Sequence, residues 1–198
     1  MKIIRDRENN IYSDKNKSLG NTFTIIENNQ KFYYEFDIRG FEALIITDYL
    51  PYIEIAIDEF RKYNKYVSVF FTEDRSFYKA FDDLPTFKLP INIIQPSKPF
   101  VNEINLKNVS KYLENNEVYL PVNIINDEYV LLDGHTRLYA KNLENQKMVN
   151  VYIDDIEPEI EDLVYLLKEQ NISTIKNVEI LSNEDYNNIW TEFIKNIK

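Results

Sequence analysis

Short apolar and aromatic runs, separated by polar turn residues, dominate the first part of the chain and predict a β-rich unit. We expect strands over residues 23–26, 32–36, 43–46 and 67–71. Asn28 and Asn29 stand between the first two runs and predict a hairpin turn. Helical spacing predicts one helix over residues 50–63 and a short one over residues 73–81. Residues 1–88 are therefore predicted to form an amino-terminal α+β segment.

The aromatic residues of this segment, around residues 32–36 and 70–78, allow two interpretations. They resemble a base-stacking platform for single-stranded nucleic acid, but apart from Arg75 basic residues are not interleaved with them. Half-buried sheets are rich in aromatic residues, so we favour a place in the core.

The second part of the chain predicts a β-α-β-β-α-β order over residues 89–153. The apolar runs at 91–94, 121–125, 129–132 and 149–153 predict strands, and Asn126 and Asp127 predict the turn between the middle two. Residues 106–113 have helical spacing, and a second helix begins after Asp133. Such an order gives a mixed sheet with helices.

The third part, residues 154–198, predicts a helical tail packed on the central segment. Pro158 suits a first helical turn, and Ser182 with Asp185 resembles a capping box. The apolar stripes are Ile160, Leu163, Val164 and Leu167, and then Tyr186, Ile189, Trp190 and Phe193. The dense carboxylates between residues 154 and 162 fit a solvated helix start better than a metal site.

Composition narrows the classes of function. The 198 residues carry a formal net charge of −10, which disfavours a protein that mainly neutralises nucleic-acid phosphates. No apolar stretch approaches the length of a signal peptide or a membrane span, so we expect a cytoplasmic protein. The absence of cysteine excludes thiolate chemistry, and a single histidine excludes a histidine-rich metal site. A magnesium ion that enters with a nucleotide needs only one or two carboxylates.

The chemistry-bearing motif of the chain is Asp133-Gly134-His135-Thr136-Arg137, which contains the only histidine. It stands between a predicted buried strand and a predicted helix. The first amide groups of a helix lack intrahelical acceptors, and the helix dipole favours an anion there by about 0.3 to 1 kcal/mol per charge. Arg137 is suited to a bidentate grip on phosphate or carboxylate. The motif therefore predicts a phosphate or nucleotide site.

A purely structural interpretation of the motif is also open. Asp133 then caps the helix, Gly134 makes a tight turn, His135 lies at the surface and Arg137 is a solvated helix charge.

The central segment resembles the ParB/sulfiredoxin-like domain, a fold shared by ParB amino-terminal domains, sulfiredoxins and free serine kinases. The matching stretches are residues 91–97, 120–122, 129–137 and 149–153, about a third of the chain. The whole chain also resembles bacterial proteins of clostridia and their relatives, a likeness that implies no activity. The resemblance implies an α+β fold with a mixed sheet.

The members of this family differ in their motif. Sulfiredoxin has Gly-Cys-His-Arg, and its nucleophilic cysteine is replaced here by His135, so sulfiredoxin chemistry is excluded. ParB carries a Gly-Glu-Arg-Arg type of motif that holds CTP, followed by a basic DNA-reading segment, whereas this chain continues into an acidic tail. The free serine kinases carry Asp-Gly-His-His-Arg and differ from this chain only at Thr136. Their likeness implies that residues 134–137 hold the phosphates of ATP or ADP and that Asp133 lies near magnesium.

One departure concerns the catalytic glutamate of those kinases. At the corresponding place this chain has Ser97 and Lys98, and Glu103 reaches the site only if the intervening loop folds back. Lys98 is either a phosphate ligand or an exposed loop lysine, and Ser97 is counted with it as a candidate phosphate-binding residue.

The leading hypothesis is phosphoryl transfer from ATP or ADP with magnesium to a small hydroxyl metabolite. In it the catalytic residues are His135, Asp133 and Glu103, and Asp133 is the metal ligand. A second hypothesis is a non-catalytic ligand-sensing module with a protein partner. A third is ParB-like nucleic-acid binding or nuclease activity, which the charge disfavours. No membrane partner is expected.

Overall fold

The computed structural model describes residues 1–113, 116–186, 188 and 189, and its residues cluster into two units, Met1–Leu84 and Pro85–Lys198. Our sequence division fell at residue 88, inside a strand, Thr86–Pro90, that pairs with residues of the second unit. The unit boundary therefore precedes that strand.

The first unit is built on a six-stranded sheet in the order β1-β2-β3-β4-β5-β6. Its strands are β1 (Lys2–Arg5), β2 (Thr22–Glu27), β3 (Gln30–Arg39), β4 (Glu42–Ile46), β5 (Val69–Thr72) and β6 (Phe77–Ala80), and its helices are α1 (Asp14–Leu19) and α2 (Ile53–Arg61). β4 and β5 are parallel, and the other pairs are antiparallel. The predicted hairpin is confirmed, because Asn28 and Asn29 have φ of 49° and 62° between β2 and β3.

Helix α2 packs on one face of this sheet through aromatic rings. Phe60 of α2 stacks on Phe36 with ring centroids 4.2 Å apart and meets Phe70 edge-on at 5.9 Å. All three side chains are fully buried. These rings are core, as the composition of half-buried sheets indicates.

One prediction for the first unit is wrong, and one helix was not predicted. Residues 73–81 do not form a helix, because Phe77–Ala80 pairs with β5 and the preceding residues make the hairpin turn. The polar stretch at residues 6–21 contains α1, with Ser13 as its N-cap and Gly20 after its last turn.

The second unit contains a five-stranded mixed sheet in the order β7-β12-β10-β11-β8 and a small parallel pair of β13 with β9. Its strands are β7 (Thr86–Pro90), β8 (Ile94–Pro96), β9 (Phe100–Asn102), β10 (Tyr119–Ile125), β11 (Glu128–Leu131), β12 (Met148–Ile153) and β13 (Glu179–Leu181), and its helices are α3 (Glu103–Leu113), α4 (His135–Leu143) and α5 (Glu159–Glu169). The predicted β-α-β-β-α-β order is present as β8-α3-β10-β11-α4-β12, with the unpredicted strand β9, which pairs with β13, between β8 and α3. The α+β class with mixed sheets is confirmed.

The first strand of this order begins later than predicted. Ile91–Ile93 forms a short 3₁₀ turn, and the strand is Ile94–Pro96. The turn at Asn126 and Asp127 is confirmed, with φ of 51° and 64° between β10 and β11.

The tail is not helical throughout. Helix α5 packs through Ile160 and Val164 against Ile125 and Val130 of the sheet, but Glu179–Leu181 is a strand that pairs with β9. Ser182 and Asp185 form the predicted cap, since the Asp185 amide donates to Ser182 Oγ at 3.1 Å.

The predicted buried face of the last helix is only partly described. Ile189 is 37% exposed and Tyr186 is half-buried. Trp190 and Phe193 lie outside the described residues. Over the part of the chain that the structure describes, no helix is long and apolar enough to cross a bilayer.

Candidate functional site

The motif of residues 133–137 lies where two parallel strands end side by side. β8 and β11 are parallel, with Pro96 opposite Leu131 at their carboxyl ends. Ser97 follows β8, and Asp133 and Gly134 connect β11 to α4. Ligands of α/β sheets commonly bind at the carboxyl ends of parallel strands, so the motif occupies a favourable place in the fold.

Gly134 makes the turn into α4 with φ of 86° and ψ of 23°, the left-handed region in which glycine is favoured. A Cβ atom here would lie 2.6 Å from Leu120 Cδ2 and 3.0 Å from two guanidinium nitrogens of Arg137. Glycine is therefore needed both for the backbone conformation and for the space above the helix start, which Arg137 and Leu120 enclose.

The amino terminus of α4 offers amide donors that lack intrahelical acceptors. Its first intrahelical bond runs from the Leu138 amide to the Gly134 carbonyl at 2.9 Å. The amides of His135, Thr136 and Arg137 thus precede the first intrahelical acceptor, and the N-cap residue Gly134 has no side chain to cap them. Together with the helix dipole, they favour an anion at this end.

His135 is buried, with only 4% of its surface exposed, and it is held by the chain that follows β8. The Ser97 amide donates to His135 Nε2 at 3.0 Å. An acceptor at Nε2 places the proton of a neutral imidazole on Nδ1. Nδ1 is buried and has no hydrogen-bond partner among the described residues.

The surroundings of His135 oppose its positive charge. Burial is the largest cause, Lys98 and Arg137 add repulsion, and Asp133 opposes them; together they lower the pKa of His135 to about 3. The hydrogen bond from the Ser97 amide acts in the same direction, because an imidazolium has no acceptor. His135 is therefore neutral near pH 7 and offers Nδ1–H as a hydrogen-bond donor, not as a titrating acid.

Asp133 and Arg137 form the charged part of the site. Arg137 Nη2 lies 3.4 Å from Asp133 Oδ2, with 16% of the Arg137 side chain and 40% of the Asp133 side chain exposed. The described residues contain no cluster of three or more histidine, cysteine or carboxylate side chains able to hold a metal ion. Asp133 alone therefore suits a cation only if ligand phosphates supply further oxygens.

The other candidates from the sequence occupy different positions. Ser97 is buried, and its hydroxyl donates to the Leu131 carbonyl at 2.7 Å, which ties the ends of β8 and β11 together. Lys98 is half-buried and close enough to lower the pKa of His135. Thr136 is half-buried in the first turn of α4. The structure therefore brings Ser97, Lys98 and residues 133–137 together.

Glu103 is the candidate that the structure does not connect to this group. It is the first residue of α3 and is exposed. Among the described residues, its side chain has no hydrogen-bond or ion-pair partner. Its assignment as a catalytic residue stays a prediction.

Two buried polar residues in the elements that carry the site, α4 and β8, were missed from the sequence. Lys141 is fully buried, and its Nζ donates to the Leu113 carbonyl at 2.7 Å and to Glu144 at 2.8 Å. Gln95 donates to the Ile172 carbonyl at 2.8 Å. The spacing of Lys141, three residues after buried Leu138 in α4, was the available signal for the first.

Comparisons with known proteins give limited likeness. No family model matches the chain, and no curated protein matches it. Protein Atu1540 from Agrobacterium tumefaciens is similar in structure at 14% identity and a TM-score of 0.37, over 48% of this chain and 62% of that one. The C-terminally truncated chromosome-partitioning protein ParB from Caulobacter crescentus, complexed with CTP-gamma-S, is similar at 18% identity and a TM-score of 0.33, over 44% and 53%. This chain thus spans less than two thirds of the length of either structure.

Proposed function

We propose that the second unit binds the phosphate group of a nucleotide or another phosphorylated small molecule at the amino terminus of α4. The single observation that carries this proposal is the buried, neutral His135, whose Nδ1 has no partner among the described residues. An unsatisfied buried donor costs about 1 to 3 kcal/mol, and a ligand oxygen would relieve that cost. Packing of the imidazole in the protein interior does not explain why its buried Nδ1 lacks a hydrogen-bond partner among the described residues.

The groups around His135 favour an anionic ligand over a neutral one. Three α4 amides lack intrahelical acceptors, and Arg137 and Lys98 add positive charge. Hydrogen bonds to a charged partner contribute about 1.5 to 3 kcal/mol each, roughly twice a neutral bond. Phosphate can accept from several of these donors at once, since its oxygens point in different directions.

The finer hypothesis is that the ligand is ATP or ADP with magnesium and that its phosphoryl group passes to a small hydroxyl metabolite. In it the backbone of residues 134–136 and Arg137 hold the phosphates, and Asp133 contributes one oxygen to a nucleotide-borne magnesium ion, whose role is to neutralise phosphate charge. Neutral His135 donates a hydrogen bond from Nδ1 to a phosphate oxygen. The partly exposed Asp133 carboxylate, four residues before Arg137, supports this division of roles.

Calorimetric titration of the full chain with ATP, ADP and CTP, each with and without magnesium, tests the proposal. We expect one nucleotide to bind with 1:1 stoichiometry and both Arg137→Gln and His135→Gln to weaken it at least about tenfold, the equivalent of about 1.4 kcal/mol. Gln keeps an acceptor for the Ser97 amide and removes Nδ1. Binding that survives both substitutions would overturn the site assignment.

A matched control is Lys107→Gln, which removes one positive charge from an exposed position of α3. It should leave affinity unchanged. Release of ADP or a phosphorylated product with candidate hydroxyl metabolites would support transfer. Binding without turnover would instead favour the ligand-sensing function.

A further inference from the structure

The first unit contains a cavity that the proposed phosphate site does not use. It has a volume of about 160 Å³ and is lined by Arg39, Glu42, Ala43, Leu44, Phe71 and Arg75. Leu44 and Phe71 are register partners on β4 and β5 and are half-buried. Because Phe70 points to α2, the alternation of side chains along β5 places Phe71 on the opposite face of the sheet.

Two arginines enclose this apolar surface from opposite ends of β4. Arg39 ends β3 and pairs in register with Glu42 at the start of β4. β5 runs parallel to β4. Arg75 lies in the turn after β5 and is therefore near the opposite end of β4 from Arg39. Guanidinium groups at the two ends of an apolar surface are suited to an anion with an apolar body, since guanidinium binds oxyanions and packs on rings.

Arg75 is held in an unusual backbone conformation. Its φ of 66° is in the left-handed region, and the other six non-glycine residues with positive φ in the described part of the chain are all Asn or Asp. The turn is fixed by Asp74, which accepts from Thr72 Oγ1 at 2.6 Å and from the Ser76 amide at 3.0 Å. An arginine at a position that asparagine fits better is consistent with a role for its side chain.

That side chain is available for a ligand. Arg75 is exposed, and its guanidinium has no hydrogen-bond or ion-pair partner among the described residues. Arg39, by contrast, shares Asp37 with Lys15, at 3.2 Å and 2.7 Å. A bound anion would therefore interact more strongly with Arg75 than with Arg39.

The charges around the cavity select the charge of the ligand. Arg39 and Arg75 are opposed by Glu42 in the lining, and Asp37 is balanced by Lys15. Summed over the lining side chains alone, two arginines and one glutamate leave one positive charge, which matches a monoanion better than a phosphate dianion. A volume of about 160 Å³ accommodates one aromatic or branched aliphatic group.

We propose that this cavity is a second binding site, which takes a carboxylate attached to an apolar or aromatic group. Its source is either a free carboxylic acid or the carboxyl terminus of a peptide. Leu44 and Phe71 contact the apolar group, and the two arginines bind the carboxylate. With few ligand atoms to bury, the dissociation constant is expected on the order of 1 mM.

The test is a nuclear magnetic resonance titration of the ¹⁵N-labelled full chain with 4-phenylbutyrate. We expect saturable shifts among residues 39–44 and 71–76, and none with 4-phenyl-1-butanol, which lacks the carboxylate. Phenyl phosphate should bind more weakly. Absence of saturation at about 10 mM, equal binding of the alcohol, or tighter binding of the phosphate would each overturn the proposal.

Substitutions make the test specific. Arg75→Asn removes the charge and places in the turn a residue that favours its φ, so the fold is preserved. It should weaken binding about tenfold, as should Arg39→Gln, whereas Lys62→Gln, at an exposed site at the end of α2, should not. Unchanged affinity in Arg75→Asn would contradict the site.

Titrations with two peptides distinguish a peptide carboxyl terminus from a free carboxylic acid as the natural ligand. A tetrapeptide that ends in phenylalanine is compared as the free acid and as the carboxyl-terminal amide. Tighter binding of the free-acid peptide than of 4-phenylbutyrate identifies a peptide terminus as the source, and the reverse order identifies a small acid.

Discussion

The Ser97 amide donates a hydrogen bond to His135 Nε2 over 3.0 Å, although the two residues are 38 positions apart in the chain. This contact joins the segment after β8 to the first residue of α4. It fixes the imidazole in one tautomer, with its proton on Nδ1. The same contact excludes the imidazolium form, so the protonation state of His135 and the folding of the second unit are coupled.

The first prediction is that the free energy of unfolding falls on acidification below pH 6.5. Burial first, and then the charges of Lys98 and Arg137, lower the pKa of folded His135 to about 3, whereas an unfolded histidine titrates near 6.5. Between these values the unfolded chain binds the extra proton, so stability is fully present above pH 6.5 and decreases as pH falls towards the folded pKa. The slope approaches about 1.4 kcal/mol per pH unit.

Urea unfolding between pH 7.5 and pH 5 measures this slope. His135 is the only histidine of the chain, so no other histidine contributes. His135→Leu should be less pH-dependent than the wild type over this range. Equal slopes in the two proteins would show that folded His135 titrates normally.

The second prediction concerns the glycine before α4. Gly134→Ala forces alanine into φ of 86° and sets its Cβ 2.6 Å from Leu120 Cδ2. We expect a loss of about 2 to 4 kcal/mol from backbone strain and steric overlap together. Differential scanning calorimetry of the full chain should show a lower melting temperature than that of the wild type.

Gly40→Ala is the matched control for this substitution. Gly40 also has positive φ, 64°, but a Cβ there meets no atom within 4 Å. It should cost only about 1 kcal/mol, the backbone part alone. Similar losses at the two glycines would show that the space above α4 is not tightly enclosed.

Local sequence features account for what was predicted correctly. The Asn28-Asn29 and Asn126-Asp127 turns and the glycine entry to α4 depend on backbone conformations that only a few residue types favour. Strand Phe77–Ala80 was missed because its pairing with β5 depends on a tertiary partner, which overrides weak helical spacing. Strand Glu179–Leu181 was missed for the same reason, since its partner β9 is about 80 residues away in sequence.

The candidate site also has one part that the sequence predicts and one part that it does not. The Asp133 to Arg137 motif was evident from the sequence, because strand, glycine and helix are adjacent. The contact of Ser97 with His135, and the burial that keeps the imidazole neutral, depend on two strands that lie side by side only in the folded sheet. The spacing of residues along the chain therefore predicts neither the contact nor the burial.

The third prediction is that Lys141→Met destabilises the second unit by about 2 kcal/mol. Lys141 Nζ donates to the last carbonyl of α3, on Leu113, and pairs with Glu144. Methionine fills a similar volume but leaves the partly exposed Glu144 carboxylate without its partner, and the Leu113 carbonyl keeps only the Asn116 amide as a donor, at 2.9 Å. Lys147→Met, at an exposed position just before β12, should change stability by less than about 0.5 kcal/mol in the same chemical denaturation. Equal effects would mean that the buried ammonium group contributes nothing.

The fourth prediction separates two roles of Asp133. Its carboxylate pairs with Arg137 at 3.4 Å and lies beside the proposed phosphate site. Without magnesium, a nearby carboxylate repels nucleotide phosphates, so Asp133→Asn should tighten ADP binding about fivefold, equivalent to roughly 1 kcal/mol at a partly exposed site. With magnesium, the same substitution removes a cation ligand and should weaken binding instead. Calorimetric titrations with and without the ion measure both constants. A change of the same sign in the two conditions would remove Asp133 from the metal site and leave it as the partner that orients Arg137.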